Sequence, residues 1–163
     1  MPNRVTALLL FALTSCSQGS ARPSAGAAGV PKESLGNVMV QVARRFEIAG
    51  RAATANRFEL AEFEVGEIVE TFETQVPGAE LPKEGPTAHI PAMAKAFLEA
   101  SAPELKKAAA AKDRVAFATA FRGAASMCNA CHQASAKGFI QVPSEAGKGV
   151  PDLDPLPTTT ATP

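Results

Sequence analysis

The sequence predicts an all-α fold, closing as an antiparallel up-down-up-down four-helix bundle, and three observations carry that expectation. Across about residues 33–136 the apolar side chains recur at steps of three and four, the spacing that gathers them on one face of a helix. The alternation of β-branched and polar residues that marks a half-buried strand is missing. Proline, glycine and cap-forming residues divide the stretch into four amphipathic segments, which bury their stripes most simply against one another.

The first segment carries Leu35, Val38, Met39, Val42, Phe46 and Ala49 on one stripe and is expected to end within residues 50–55, leaving Asn56 to cap the next helix. The second repeats Phe58, Ala61, Val65, Ile68 and Phe72. Its Glu59, Glu62, Glu70 and Glu73 read as a solvated face, with a partner-docking face as the alternative. Pro77, Gly78, Pro82, Gly85 and Pro86 cannot continue a helix, so a long crossover loop follows. A third helix is expected from near Pro91, burying Met93, Ala94, Phe97 and Leu98. Ser101 and Glu104 around Pro103 form a capping-box pattern that predicts a kink or restart. Asp113 is the expected cap of the fourth helix, in which Phe117, Phe121, Ala124, Cys128 and Cys131 share a stripe and both cysteines face the core.

Composition narrows the function classes. A chain of 163 residues is the size of one domain with one core. Its formal net charge is +0, without the basic stripe that binding a phosphate backbone needs. No apolar run reaches the ~18 residues of a mature membrane span. Tyr and Trp are absent while Phe occurs nine times, so aromatic packing falls to Phe rings, with room beside them for another large flat apolar group.

Residues 1–15 are expected to be a signal peptide: Arg4 and the amino terminus are positive, residues 5–13 are apolar, and Leu13-Thr14-Ser15-Cys16 follows. This resembles a bacterial lipoprotein signal, which implies cleavage before Cys16 and a lipid on that residue. A plain secretory signal with an incidental cysteine is the alternative, and both export the domain. Ser17, not an acidic residue, follows Cys16, which by the same resemblance implies a periplasmic domain anchored at the outer membrane. Residues 16–32, rich in Ser, Gly, Ala and Pro, read as a flexible tether; 33–142 as the folded domain; 143–163 as a disordered Pro/Thr-rich tail.

The chemistry lies in the fourth helix. Cys128-Asn129-Ala130-Cys131-His132 is the pattern by which c-type haem is attached. Cysteines at this spacing on a helix put both sulfurs on one side, each to join one porphyrin vinyl group, and the adjoining His132 can offer its imidazole to the iron. Rival readings fit less well. A thioredoxin-like pair wants its first cysteine at the start of a helix after a strand. A zinc site wants more ligands than His89, the other histidine, can supply. A disulfide across so short a helical span is geometrically poor.

With these residues in view, residues 35–142 resemble bacterial cytochromes of the cytochrome c prime type and their low-spin bundle relatives. The likeness rests on Asp113-Arg114-Val115-Ala116-Phe117, on Cys128-Asn129-Ala130-Cys131-His132-Gln133 near the end of the last helix, and on Phe139-Ile140 just after. The resemblance implies one covalent haem c on Cys128 and Cys131, His132 on the iron, and two possible states of its far side. Either a Met from the first helix completes the iron, or a small apolar residue leaves it open to gases. Met39 matches the first in position, although Met on an apolar stripe is also ordinary core filling. Met93 and then His89 are the next candidates, and Met127 is set aside because it adjoins the motif on the wrong side.

Arg44, Arg45, Arg122 and Lys137 are near enough in sequence to meet haem propionates, though solvation explains most of them. Phe46, Phe121 and Phe139 are candidate haem walls, or ordinary core. The functional expectation is an exported, membrane-anchored periplasmic electron carrier, not an enzyme, passing single electrons between redox partner proteins. A homodimer is also compatible with the resemblance. The alternative is a five-coordinate haem protein that binds NO or CO as a sensor or scavenger. A third class, a helical interaction module without cofactor, predicts a colourless protein.

Overall fold

The computed structural model describes residues 31–147, all within the unit that begins at Pro31. The expected signal peptide, Cys16, the tether up to residue 30 and the tail from residue 148 lie outside the described residues. The all-α class is found: α1 (Leu35–Thr54), α2 (Phe58–Thr74), a 3-10 turn (Val76–Gly78), α3 (Ile90–Ala96), a π-helical turn (Phe97–Ser101), α4 (Ala102–Ala110) and α5 (Arg114–Ala134). Among the described residues there is no strand. Helix α1 packs on α2, α2 on α4, α4 on α5, and α5 back on α1. No described helix is long and apolar enough to cross a membrane.

Ser34 starts α1 from an extended conformation, its hydroxyl accepting from the Asn37 amide at 3.3 Å. Leu35, Val38, Val42, Phe46 and Ala49 are buried as the stripe predicts, and Met39 is half-buried at its edge. Asn56 does not cap α2. It adopts a left-handed φ of 57° and closes α1 instead, its amide donating to the Ala53 carbonyl (3.1 Å) while the Arg57 amide reaches Ala52 (2.8 Å). Asn tolerates this conformation better than most residues, so it is used where a helix must stop. The same closure recurs at Lys112 (φ 53°) after α4 and at Ala136 (φ 57°) after α5, where neither side chain favours it.

All five apolar positions predicted for α2 are buried, and Glu59, Glu62, Glu70 and Glu73 are exposed. Glu64 behaves differently. It is buried on the inner side of α2, where the Arg45 guanidinium meets it at 3.1 Å and reaches Glu67 at 2.8 Å. The crossover loop runs back beside the start of α1, with the Leu35 amide donating to the Glu80 carbonyl (2.9 Å) and the Glu80 amide to Glu33 (2.8 Å). It then passes the end of α5 at Gly85, whose φ is +89° and where an added Cβ would stand 3.0 Å from the Ser135 carbonyl oxygen. Only glycine meets both demands at low cost.

Pro91 lies in the first turn of α3 as expected, but the residues buried here are Ile90 and Phe97, while Met93, Ala94 and Leu98 are only partly covered. The Ser101 capping box does not form, because the chain never leaves helical geometry: a π-helical turn joins α3 to α4, and the Ser101 hydroxyl points to the Met127 sulfur at 3.6 Å. Asp113 does cap α5, accepting from the Val115 and Ala116 amides at 2.9 Å each.

The packed chain continues past Val142, beyond the expected boundary. Val142 is buried, Ala146 packs against the core, and the Gly147 amide donates to Glu47 at 2.7 Å. Gly50 makes room for this strap, since a Cβ there would stand 2.5 Å from the Ala146 Cβ and 2.7 Å from the Phe121 ring.

Candidate functional site

Between α1, α3, α5 and the strap lies a cavity of about 280 Å³, partly open to solvent and walled mostly by apolar side chains. Helix α1 contributes Met39 and Phe46; the α3 side contributes Met93 and Phe97; α5 brings Cys128, Cys131 and His132 to the same cavity. The candidate sulfurs and the imidazole, separated by nearly the whole domain in sequence, therefore share one wall system.

Position along α5 explains why both cysteines end there. They continue the stripe of Phe117, Phe121 and Ala124, but the core side chains thin out toward the end of the helix, so both cysteines border the cavity, Cys128 while still packing against the core. Both are free thiols and only partly exposed. Burial, with Cys131 close by, pushes the Cys128 thiol up to about 12. Burial also raises Cys131, opposed by a hydrogen bond from Ser135. Neutral thiols in an apolar wall are poor redox nucleophiles, which weighs against a thioredoxin-like pair.

His132 is oriented by the strap. Its Nδ1 lies 3.0 Å from the Ile140 carbonyl oxygen. A carbonyl only accepts, so Nδ1 is the donor, and in the neutral ring the lone pair that a metal needs is on Nε2. The chain on either side of Ile140 is tied down: Asn129 donates from Nδ2 to the Val142 carbonyl (2.9 Å) and accepts from the Val142 amide (2.7 Å), and the Gln141 side chain donates to the Gly138 carbonyl. The Lys137 amide closes the end of α5 on the His132 carbonyl at 2.7 Å.

Other candidates fall elsewhere. His89 does not line the cavity; its Nε2 is 3.0 Å from the Ser135 hydroxyl, tying the crossover loop to the end of α5. Phe139 is 68% exposed and lies off the cavity wall, because the turn after α5 carries it outward. Phe121 backs the wall from behind, stacked on Phe46 with 4.0 Å between ring centroids. Met127, set aside on sequence grounds, does line the cavity, though its sulfur already accepts from Ser101. Of the basic residues only Lys137 borders the cavity; Arg45 is committed to Glu64 and Glu67, Arg122 donates to Thr119, and Arg44 is exposed.

Two contributions escaped the sequence reading. Phe72 and Phe97 stack 4.4 Å apart as part of the wall, which their helical spacing hinted at without showing that they meet. Asn129 occupies an unspecified position of the attachment pattern, and nothing in the sequence signals its pairing with Val142. Among the described residues no three His, Cys, Asp or Glu side chains gather as a conventional metal cluster would. Comparison of the chain with protein-family models, with curated proteins and with solved structures gave no match.

Proposed function

We propose that the protein is an exported monohaem c-type cytochrome, of the cytochrome c prime type or its low-spin relatives, that carries single electrons between redox partners. The observation that carries this reading is the convergence of Cys128, Cys131, His132 and Met39 on one apolar cavity, with His132 oriented by Ile140 so that Nε2 remains an acceptor. The order in which the helices neighbour one another supports an antiparallel up-down-up-down bundle, α3 and α4 serving together as its third member. Export and the lipid on Cys16 rest on residues 1–16 of the sequence.

The residues present fit a haem c. Cys128 and Cys131 would hold it through thioethers, and His132 and the Met39 thioether would be its iron ligands. Bound there, the group would supply a reversible one-electron couple. The chain's own part is to bind, orient and insulate. Phe46, Phe72 and Phe97 present flat apolar surface and keep water from the cavity floor, while the hydrogen bond to Ile140 fixes the imidazole tautomer. With both His132 and Met39 holding it, the group would favour its reduced state and would leave no position for a gas. The reading is then that of a carrier and not a catalyst.

The test is production of the full chain in cells competent in cytochrome maturation, followed by mass analysis and spectroscopy. The expected product is coloured, carries the mass of one tetrapyrrole with both thiols consumed, and is low-spin. Met39→Ala should convert it to high-spin iron. A wild-type protein that is already high-spin and takes up carbon monoxide when reduced would replace the carrier with the gas-binding reading. A colourless protein with both thiols free would end both.

A further inference from the structure

The strap after α5 approaches the cavity as irregular chain, and irregular chain stays in place only where its backbone polar groups find partners. Val142 finds both of its partners in one side chain. Asn129 donates to its carbonyl at 2.9 Å and accepts from its amide at 2.7 Å, the two-point pairing that a strand neighbour would otherwise supply. This pairing spans 13 residues and is partly buried, and the Val142 side chain that it holds down is itself buried against the cavity. Two residues upstream of Val142 is Ile140, whose carbonyl receives the His132 Nδ1 proton.

We infer that Asn129 is a positioning residue for His132: by clamping Val142 it fixes the Ile140 carbonyl, and that carbonyl sets the tautomer, plane and basicity of the imidazole. The inference rests on the haem reading for its functional consequence. The chain of contacts does not depend on it. Asn129 and His132 lie on the same helix, so the clamp and the ring it serves are held in a fixed relation by α5, and only the strap has to be brought to them. Asn is suited to the task because its amide offers one donor and one acceptor, whereas a carboxylate at the same place can only accept. Partners of this kind, one step beyond the ligand, make an imidazole more electron-donating and so favour the oxidised metal.

The test uses the full, matured chain and begins by weighing the parent protein. A parent without tetrapyrrole removes the haem reading, and the functional part of this inference with it. Given a haem-bearing parent, Asn129→Ala and Asn129→Asp are compared with Asp113→Ala, which loosens the far end of the same helix without touching the strap. Asn129→Ala should shift the reduction potential to more positive values and speed solvent exchange of the His132 Nδ1 proton by about tenfold or more, as expected when a local closure is released. Asn129→Asp keeps the acceptor for the Val142 amide and should fall between parent and Ala variant in exchange rate. Asp113→Ala should lower the melting temperature and leave potential and exchange unchanged. A haem-bearing Asn129→Ala protein with the potential and exchange rate of the parent overturns the assignment, as does an equal shift in Asp113→Ala.

Discussion

The rings of Phe46 and Phe121 lie 4.0 Å apart at 16°, one facing the cavity and the other standing behind it. Phe121 therefore supports the cavity wall without lining the cavity itself. Phe121→Ala is expected to destabilise the fold by ~3–5 kcal/mol, the cost of an aromatic cavity in a packed core. Phe121→Leu should cost less than half of that. Denaturant titration measures both, and a loss under ~1 kcal/mol for the Ala variant would mean that the stack contributes little.

Arg45 bridges Glu64 and Glu67 from α1, and Glu64 is the buried partner at 7% exposure. Removing the guanidinium leaves a largely desolvated carboxylate. Arg45→Ala should cost ~1–3 kcal/mol, and adding Glu64→Gln should recover part of that, because the amide carries no charge to desolvate. A double-mutant cycle on the melting curves provides the check; strictly additive losses would show that the pair does not interact.

With both thiols free, Cys128, pushed up to about 12 from an ordinary 9.0, should resist alkylation. At pH 9 the folded chain would hold roughly one thiolate per thousand molecules at this position, against about half in the unfolded chain. The folded state is the one that keeps the proton. Its contribution to stability is therefore present below pH 9.0 and is lost as pH rises toward about 12. Iodoacetamide labelling of the free-thiol protein with and without denaturant, across that range, measures the difference. Equal rates in both states would show the thiol to be solvated.

Ala136 ends α5 in a left-handed conformation that alanine disfavours, whereas Asn56 ends α1 in the same conformation with a residue that accepts it. Ala136→Gly should stabilise the protein by ~0.5–1 kcal/mol and Asn56→Gly by a smaller margin. Thermal melts decide the ranking. A destabilised Ala136→Gly variant would indicate that the methyl group makes contacts worth more than the strain.

Much of the fold was legible because it is written in local spacing. The stripe through Leu35, Val38, Val42 and Phe46 and the one through Phe58, Ala61, Val65, Ile68 and Phe72 are buried as read, and Asp113 caps where its side chain and the following amides predicted. Local signals misled where one residue type has more than one use. Asn56 looked like the start of a helix and is the end of one; Ser101 and Glu104 looked like a capping box, but the chain stays helical through them.

By itself the sequence determined the helices and the order Cys128, Cys131, His132, because both depend on residues within a turn or two of each other. Tertiary structure alone decided which side chains share the cavity, that Met127 joins them and Phe139 does not, and that Asn129 holds the strap. Those outcomes depend on pairings such as Arg45 with Glu64, Asn129 with Val142 and His89 with Ser135, at separations of 19, 13 and 46 residues. Hydrophobic periodicity says which face turns inward, but not which distant face it will meet, since that is settled only when the helices pack.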